Sequence, residues 1–237
     1  MKNTGTLYLI PVMLGDNPAD EVLPLKVARV IELIDNYIVE NSKVARKFIK
    51  AILPTKSQPS LQLFELNKHT DTKEINSFIQ PLLEGKNMGL MSDAGCPGVA
   101  DPGAVVVKLA HDKGIKVVPL VGPSSILLAM MGSGMNGQSF TFNGYLPIDK
   151  SDKKTMLKNL EKWSFERNQS QIFIETPYRN NQLVEEITQT LHPNTLLCIA
   201  CDITLPTEFI QTKPISYWKK NKPELHKRPC IFILHKS

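Results

Sequence analysis

The stretch Met91-Ser92-Asp93-Ala94-Gly95-Cys96-Pro97-Gly98-Val99-Ala100-Asp101-Pro102-Gly103 does most to limit what this chain can fold into. It follows an apolar run (Met88, Leu90, Met91) and precedes an amphipathic one (Val105, Val106, Val107, Leu109, Ala110). That order places it on a loop at the carboxyl end of a strand, with Asp101-Pro102 predicted to open a helix, since proline suits a first turn. Three glycines and two prolines among thirteen residues are costly in conformational terms unless the backbone must approach something closely. In open α/β sheets, ligands sit outside the carboxyl ends of the strands.

A second loop has the same character. Val117-Val118-Pro119-Leu120-Val121-Gly122-Pro123-Ser124-Ser125 reads as an apolar strand running into a turn and then a helix, Ile126 to Met131. Ser124 or Ser125 can cap that helix, which is the purely structural use of the serines. The two strand ends lie about thirty residues apart, as in a βαβ unit, and together they point to a shared ligand. Neither is a Walker loop, and no GxGxxG follows the first strand, which argues against a dinucleotide-binding fold of the Rossmann type.

Strands and helices alternate through the first half. Strands are predicted at Leu7 to Val12, Tyr37 to Glu40, Leu61 to Leu66, around Met88, and at Lys116 to Leu120. Helices are predicted at Glu21 to Asp35, Lys43 to Ala51, Lys73 to Glu84 and Asp101 to His111. Val22, Leu25, Val27, Val30, Ile31 and Ile34 give the first helix a broad apolar face. Such alternation predicts a parallel or mostly parallel sheet. The pattern restarts after the Ser124 loop, with strands at Ser139 to Asn143, Gln171 to Glu175 and Leu196 to Cys201, and helices at Lys153 to Trp163 and Asn180 to Leu191. Short connections make the late strands, Glu208 to Thr212 and Pro229 to Leu234, antiparallel. The fold class is therefore α/β, with two α/β domains: 1–120 with a mostly parallel sheet and 121–237 with a mixed one.

With 237 residues, 42% of them hydrophobic and 22% charged, the composition is that of an ordinary globular protein with a proper core. No apolar run approaches the ~18 residues that span a bilayer, so no membrane association is expected, and Met1-Lys2-Asn3-Thr4 leads into a strand with no signal-peptide core. Four cysteines suggest reduced thiols and a cytoplasmic location. Cys198 and Cys201 have CxxC spacing, which suits zinc or redox chemistry, but lie inside an apolar strand and read first as small buried residues. Cys96 and Cys230 form no second CxxC pair, and no other cluster has metal-ligand spacing, so no metal is expected.

The net charge of +5 is mild but unevenly placed. Lys150, Lys153, Lys154, Lys158 and Lys162 cluster after Tyr145-Leu146-Pro147. Lys213, Lys219, Lys220, Lys222, Lys227 and Arg228 gather beside Tyr217 and Trp218. Basic patches with aromatic neighbours suit a phosphate backbone and unstacked bases, although either cluster alone reads sooner as a solvated face.

Gly5-Thr6-Leu7-Tyr8, the Ser92-to-Gly103 loop and Val118-to-Ser125 together resemble the tetrapyrrole methylase superfamily, the class III S-adenosylmethionine-dependent methyltransferases. Within it, Phe142-Asn143-Gly144-Tyr145-Leu146-Pro147 and Ile174-Glu175-Thr176-Pro177-Tyr178-Arg179 resemble segments of the ribosomal RNA small subunit methyltransferase I branch, which methylates a ribose 2′-hydroxyl. The likeness runs in order from about residue 4 to residue 235. It implies S-adenosylmethionine as cofactor, held in a cleft between the two domains by Pro11, Asp93, Ala94, Gly95, Gly98, Val99, Ala100, Pro123, Ser124 and Ser125. It also implies ribosomal RNA as partner and a homodimer.

Substrate-facing segments depart from the branch. Glu40-Asn41-Ser42-Lys43 stands where it has Glu-Asp-Thr-Arg, and Asn67-Lys68-His69-Thr70 where it has His-x-His-Asn. After Pro11, Val12-Met13-Leu14-Gly15-Asp16 stands where it has Thr-Pro-Ile-Gly-Asn, and the segment Asp202 to Glu208 loses a lysine while keeping Thr204 and Glu208. These changes leave two other readings open: a methyltransferase of the same fold acting on a small molecule such as a tetrapyrrole, and a cofactor-binding, RNA-interacting protein without activity.

An attacking ribose hydroxyl is weakly acidic and gains from a nearby base or acceptor. Glu40, Glu175 and Glu208 are the candidates, with Lys43 and Arg179 to hold phosphate or orient a carboxylate. Each also has a structural use: Glu40 as a helix cap, Glu175 and Arg179 as a pair, Glu208 on an exposed strand.

Overall fold

The computed structural model describes residues 4–67 and 70–237, Thr72 and Lys73 by their backbone alone. The chain divides into two compact units, Met1–Ser124 and Ser125–Ser237.

The first unit runs β1 (Thr6–Leu9), α1 (Ala19–Val22), α2 (Leu25–Leu33), β2 (Asn36–Val39), α3 (Ser42–Ile52), β3 (Gln62–Glu65), α4 (Thr72–Phe78), α5 (Gln80–Leu83), β4 (Met88–Met91), α6 (Ala104–Asp112) and β5 (Lys116–Pro119). Its strands form one sheet in the order β3-β2-β4-β1-β5, every neighbouring pair parallel. β4, in the middle, is buried along its whole length, which is why it reads as an unbroken apolar run. Successive residues of β2 serve opposite faces. Tyr37 joins Ile10, Val27, Ile31, Phe48 and Ile49 on one side, and Ile38 joins Leu7, Ile79, Leu82, Met88 and Val106 on the other. The buried Tyr37 hydroxyl donates to the Ile34 carbonyl at 3.0 Å, so its polar end is satisfied.

Several expectations for this unit need correction. The single helix predicted over Lys73 to Glu84 is two, α4 and α5, with Ile79 between them. The single helix predicted over Glu21 to Asp35 is two helices, because Pro24 caps α2 and cannot donate into a continuing α1. Val27, Val30, Ile31 and Ile34 are buried as the periodicity requires, but Leu25, in the first turn of α2, is 74% exposed. Nor do Asp101 and Pro102 open a helix. α6 starts at Ala104 behind Gly103, whose φ of 137° lies outside helical space. The Lys68-His69 part of the segment that replaces His-x-His-Asn lies outside the described residues.

The second unit runs α7 (Ser125–Ser133), β6 (Phe140–Tyr145), α8 (Lys150–Arg167), β7 (Ser170–Ile174), α9 (Asn180–Thr190), β8 (Leu196–Cys201), β9 (Phe209–Pro214), α10 (Ile215–Lys220) and β10 (Cys230–His235). The sheet order is β6-β7-β10-β8-β9, parallel between β6 and β7 and antiparallel elsewhere. The mixed character predicted from the short late connections is present. α8 begins earlier than predicted because the Asp149 side chain accepts the N–H groups of Ser151 and Asp152 at 2.8 and 3.0 Å. The core gathers Leu157, Leu160, Phe173, Leu183, Ile187, Ile199, Trp218 and Phe232.

Cys198 and Cys201 are buried in β8, and Cys201 lies opposite Cys230 in the β8–β10 register. Among the described residues no helix is long and apolar enough to cross a membrane, and no group of His, Cys, Asp and Glu could hold a metal ion.

Candidate functional site

The glycine-rich loop leaves the carboxyl end of β4 and is tied to its surroundings at several points. Gly95 and Val12 exchange backbone hydrogen bonds at 2.9 and 3.0 Å, stapling the loop to the segment after β1. The Cys96 thiol donates to the Pro123 carbonyl at 3.4 Å, linking it to the loop after β5. Ser92 Oγ donates to the Ala94 carbonyl at 3.0 Å. Gly95, Gly98 and Gly103 all have positive φ, and so does Ala100 at 63°. Such a conformation is costly for alanine. Asp93, Ala94, Val99 and Ala100 are exposed, whereas Gly95 and Pro97 are buried.

Gly122 has a different cause. A Cβ there would lie 2.2 Å from Cγ of Pro11, so the close approach is between the ends of the neighbouring strands β1 and β5. Pro11, Asp93, Ala94, Gly95, Gly98, Val99, Ala100, Pro123 and Ser124 thus share one end of the first sheet. Ser125 is the first residue of α7, in the second unit.

Glu40 follows β2 at that same end. Its Oε2 accepts the Asp93 N–H at 3.3 Å. It does not cap the next helix. Asn41 does so, its Oδ1 accepting from the Lys43 and Val44 N–H groups at 2.9 and 3.3 Å. Lys43 is exposed in the first turn of α3. Glu65, at the end of β3, accepts the Ser42 N–H at 2.9 Å, and hydrogen bonds from the Ser42 side chain and then from its N–H hold the carboxyl below the ordinary range.

Asp101 completes the group. Burial, then the Glu40 and Asp93 charges, push its carboxyl up to about 6, against the opposing pull of a Ser92 hydrogen bond. Burial and the charges of Glu40 and Glu65 likewise raise Asp93. In sequence, Asp101 reads as a helix opener within the Ser92-to-Gly103 loop and not as a site residue. The signal lay in its distance of two residues from a glycine that postpones the helix.

Glu175 and Arg179 lie in the second unit and meet each other: Arg179 Nη2 donates to Glu175 Oε1 at 2.6 Å. The Thr176 N–H donates to the same oxygen at 2.7 Å. Lys153 Nζ stands 3.7 Å from Glu175 Oε2 and 3.1 Å from Glu186 Oε2. Burial raises the Glu175 carboxyl, but Arg179, the Thr176 amide and Lys153 more than offset that and hold it below the ordinary range. Glu208 is exposed, and its Oε2 accepts the Thr204 N–H at 2.8 Å.

Two members of the expected basic patches are not on the surface. The Lys153 side chain is only 5% exposed within this ion-pair network. Trp218 is 1% exposed, its Nε1 donating to the Leu197 carbonyl at 2.9 Å. On an amphipathic helix one lysine of a run can face inward when carboxylates meet it, and α9 and the end of β7 supply them. Lys150, Lys154, Lys158, Lys162, Lys219 and Lys220 are exposed.

The two sheets and the strand-end loops have the tetrapyrrole methylase superfamily fold, that of the class III S-adenosylmethionine-dependent methyltransferases. The crystal structure of the methyltransferase CobJ superposes with a TM-score of 0.65 at 14% identity, over 99% of this chain and 95% of that one. In sequence, the chain is similar to proteins named Ribosomal RNA small subunit methyltransferase I. The one from Buchnera aphidicola subsp. Schizaphis graminum is 29% identical over 239 residues, 99% of this chain and 79% of that protein. The one from Bacillus subtilis is 33% identical over 187 residues, 79% of this chain and 60% of that protein. No family model matches the chain.

Proposed function

We propose that this chain, an S-adenosylmethionine-dependent methyltransferase of the tetrapyrrole methylase fold, uses a ribose 2′-hydroxyl of ribosomal RNA as its acceptor. The observation that carries the choice of acceptor is the likeness to Ribosomal RNA small subunit methyltransferase I over 99% of the chain.

The residues at the strand ends suit the cofactor. Asp93, Ala94, Val99 and Ala100 are exposed residues of this loop, where backbone groups can bond a nucleoside and an amino-acid moiety. Asp93 offers a carboxylate to ribose hydroxyls and to positive charge. Bound there, S-adenosylmethionine would supply an electrophilic methyl group on a sulfonium.

The chain's own part is to position the hydroxyl, take its proton and exclude water. Asp101, pushed up to about 6, is matched to proton transfer near neutral pH. Glu40, oriented by the Asp93 N–H, holds the substrate ribose, and Lys43 gives a point-charge contact to phosphate. Lysine lacks the planar fork of the arginine in the related segment, so that contact is looser. Glu175, held as an anion by its cations, serves to fix Arg179. A homodimer and a cytoplasmic location accompany the reading.

Transfer of a labelled methyl group to small ribosomal subunits, beside a porphyrinoid acceptor, tests it. Transfer to RNA alone supports the proposal, and transfer to the porphyrinoid alone replaces it with the small-molecule reading. Measurable cofactor affinity without transfer to either favours a binding protein.

A further inference from the structure

We infer that Tyr178 and Lys227 form a preorganised platform for single-stranded RNA, the Tyr178 ring stacking an unpaired base and Lys227 meeting an adjacent phosphate. This rests on the RNA reading above and adds a recognition site in the second unit.

Tyr178 lies in the turn between β7 and α9 and is 69% exposed. Exposed tyrosines are common, and exposure alone would carry nothing. Here the ring has two specific neighbours from the loop before β10. The His226 ring packs edge-on at 5.9 Å and 77°. Lys227 Nζ stands over the Tyr178 ring, 6.0 Å from its centroid. A base has a π-face and a phosphate has a negative charge, so an aromatic ring flanked by a cation matches both halves of a nucleotide without reading its sequence.

The two loops are locked together. The Lys227 N–H donates to the Pro177 carbonyl at 3.0 Å, which holds residue 227 beside the tyrosine and in a left-handed conformation with φ of 62°. Asn180 Nδ2 donates to the Arg228 carbonyl at 2.6 Å, and the Leu225 N–H to Asn181 Oδ1 at 2.8 Å. Leu225 itself is fully buried.

The nearby charges divide cleanly. Arg228 is committed to the frame, donating to Asp202 Oδ2 at 2.8 Å and to the carbonyls of Thr207 and Glu224. Glu224, the acidic residue on this loop, accepts from Asn181 Nδ2 and the His226 N–H, both at 2.8 Å. Lys227 forms no ion pair among the described residues, so its charge is available to a ligand. A stacking ring held rigid loses little entropy on binding, which is the advantage of such a frame.

The test is titration of a short, unstructured, fluorescein-labelled oligoribonucleotide against the full chain and its Tyr178→Leu, Tyr178→Phe and Lys227→Ala variants, each checked by thermal melting. Tyr178→Leu should weaken binding about 5- to 150-fold, the usual range for losing one stacked base, while Tyr178→Phe keeps the ring and stays near wild type. Lys227→Ala should flatten the dependence of log affinity on log salt by about 0.7, one phosphate contact on a single strand. If wild type binds and Tyr178→Leu binds equally well, the platform is overturned while the RNA reading stands. If wild type binds neither the oligoribonucleotide nor ribosomal RNA, both fall.

Discussion

Glu40 Oε2 accepts a hydrogen bond from the Asp93 backbone N–H at 3.3 Å, which joins the ends of β2 and β4 and aims one Glu40 oxygen at the glycine-rich loop. Replacing Glu40 with glutamine keeps an acceptor for that amide but removes the charge. Cofactor affinity should therefore hold, while methyl transfer falls by ~10²-fold or more as the substrate ribose loses the contact that positions it. Calorimetry with S-adenosylmethionine and single-turnover transfer read the two effects separately. Wild-type turnover would make Glu40 a brace for Asp93 and leave the chemistry to Asp101.

Asp101 makes stability depend on pH in a definite direction. Its carboxyl rises from an ordinary 3.8 to about 6 in the folded chain, so the folded state holds the proton more tightly than the unfolded state does. The contribution is fully present below about pH 4 and is lost as pH rises through 6. Asp101→Asn, which cannot ionise beside Glu40 and Asp93, should melt higher than wild type at pH 7.5, and the gap should close toward pH 4. A lower melting temperature for the variant at pH 7.5 would show that the ionised carboxylate is net stabilising.

Much of the architecture was legible because apolar runs and amphipathic stretches alternate so regularly. The continuous burial of β4 and the short connections around β9 and β10 each leave a direct mark in the residues. Other features depend on partners that the local sequence does not reveal. Lys153 looks like its exposed neighbours Lys150 and Lys154 until Glu175 and Glu186 are brought to it. Asp101-Pro102 carries the signature of a helix start, but the conformation of Gly103 moves that start to Ala104. The facing of Cys201 and Cys230 needs the register of two strands far apart in the chain. The tyrosine paired with Lys227 lies in a segment noticed for its glutamate and arginine.

Gly122→Ala tests whether the loop after β5 depends on contact with Pro11. The added Cβ would sit 2.2 Å from Pro11 Cγ and 2.4 Å from its Cβ, neither of which can swing aside. Destabilisation of about 1–3 kcal/mol is expected, the ordinary cost of overpacking. Pairing it with Pro11→Gly should recover part of the loss. Chemical denaturation measures both, and equal midpoints for Gly122→Ala and wild type would mean the strand ends shift apart freely.

Lys153 should behave as an internal ion and not as an RNA contact. Its removal by Lys153→Ala leaves Glu175 and Glu186 short of a buried partner, at about 3–5 kcal/mol. The salt slope of RNA binding, measured below the melting temperature, should not change. The triple Lys150→Ala, Lys154→Ala, Lys158→Ala variant should instead keep its stability and lose slope, since fewer counterions are released. The reverse pattern would place Lys153 in contact with RNA.

The account's central claim is methyl transfer to a ribose of ribosomal RNA, and mapping 2′-O-methyl sites in small-subunit RNA with and without this gene tests it most directly. The account predicts that at least one ribose methylation disappears with the gene and returns when the purified chain and S-adenosylmethionine are added to the unmethylated subunit. An identical methylation map in both strains, with no transfer to the isolated subunit, would contradict it.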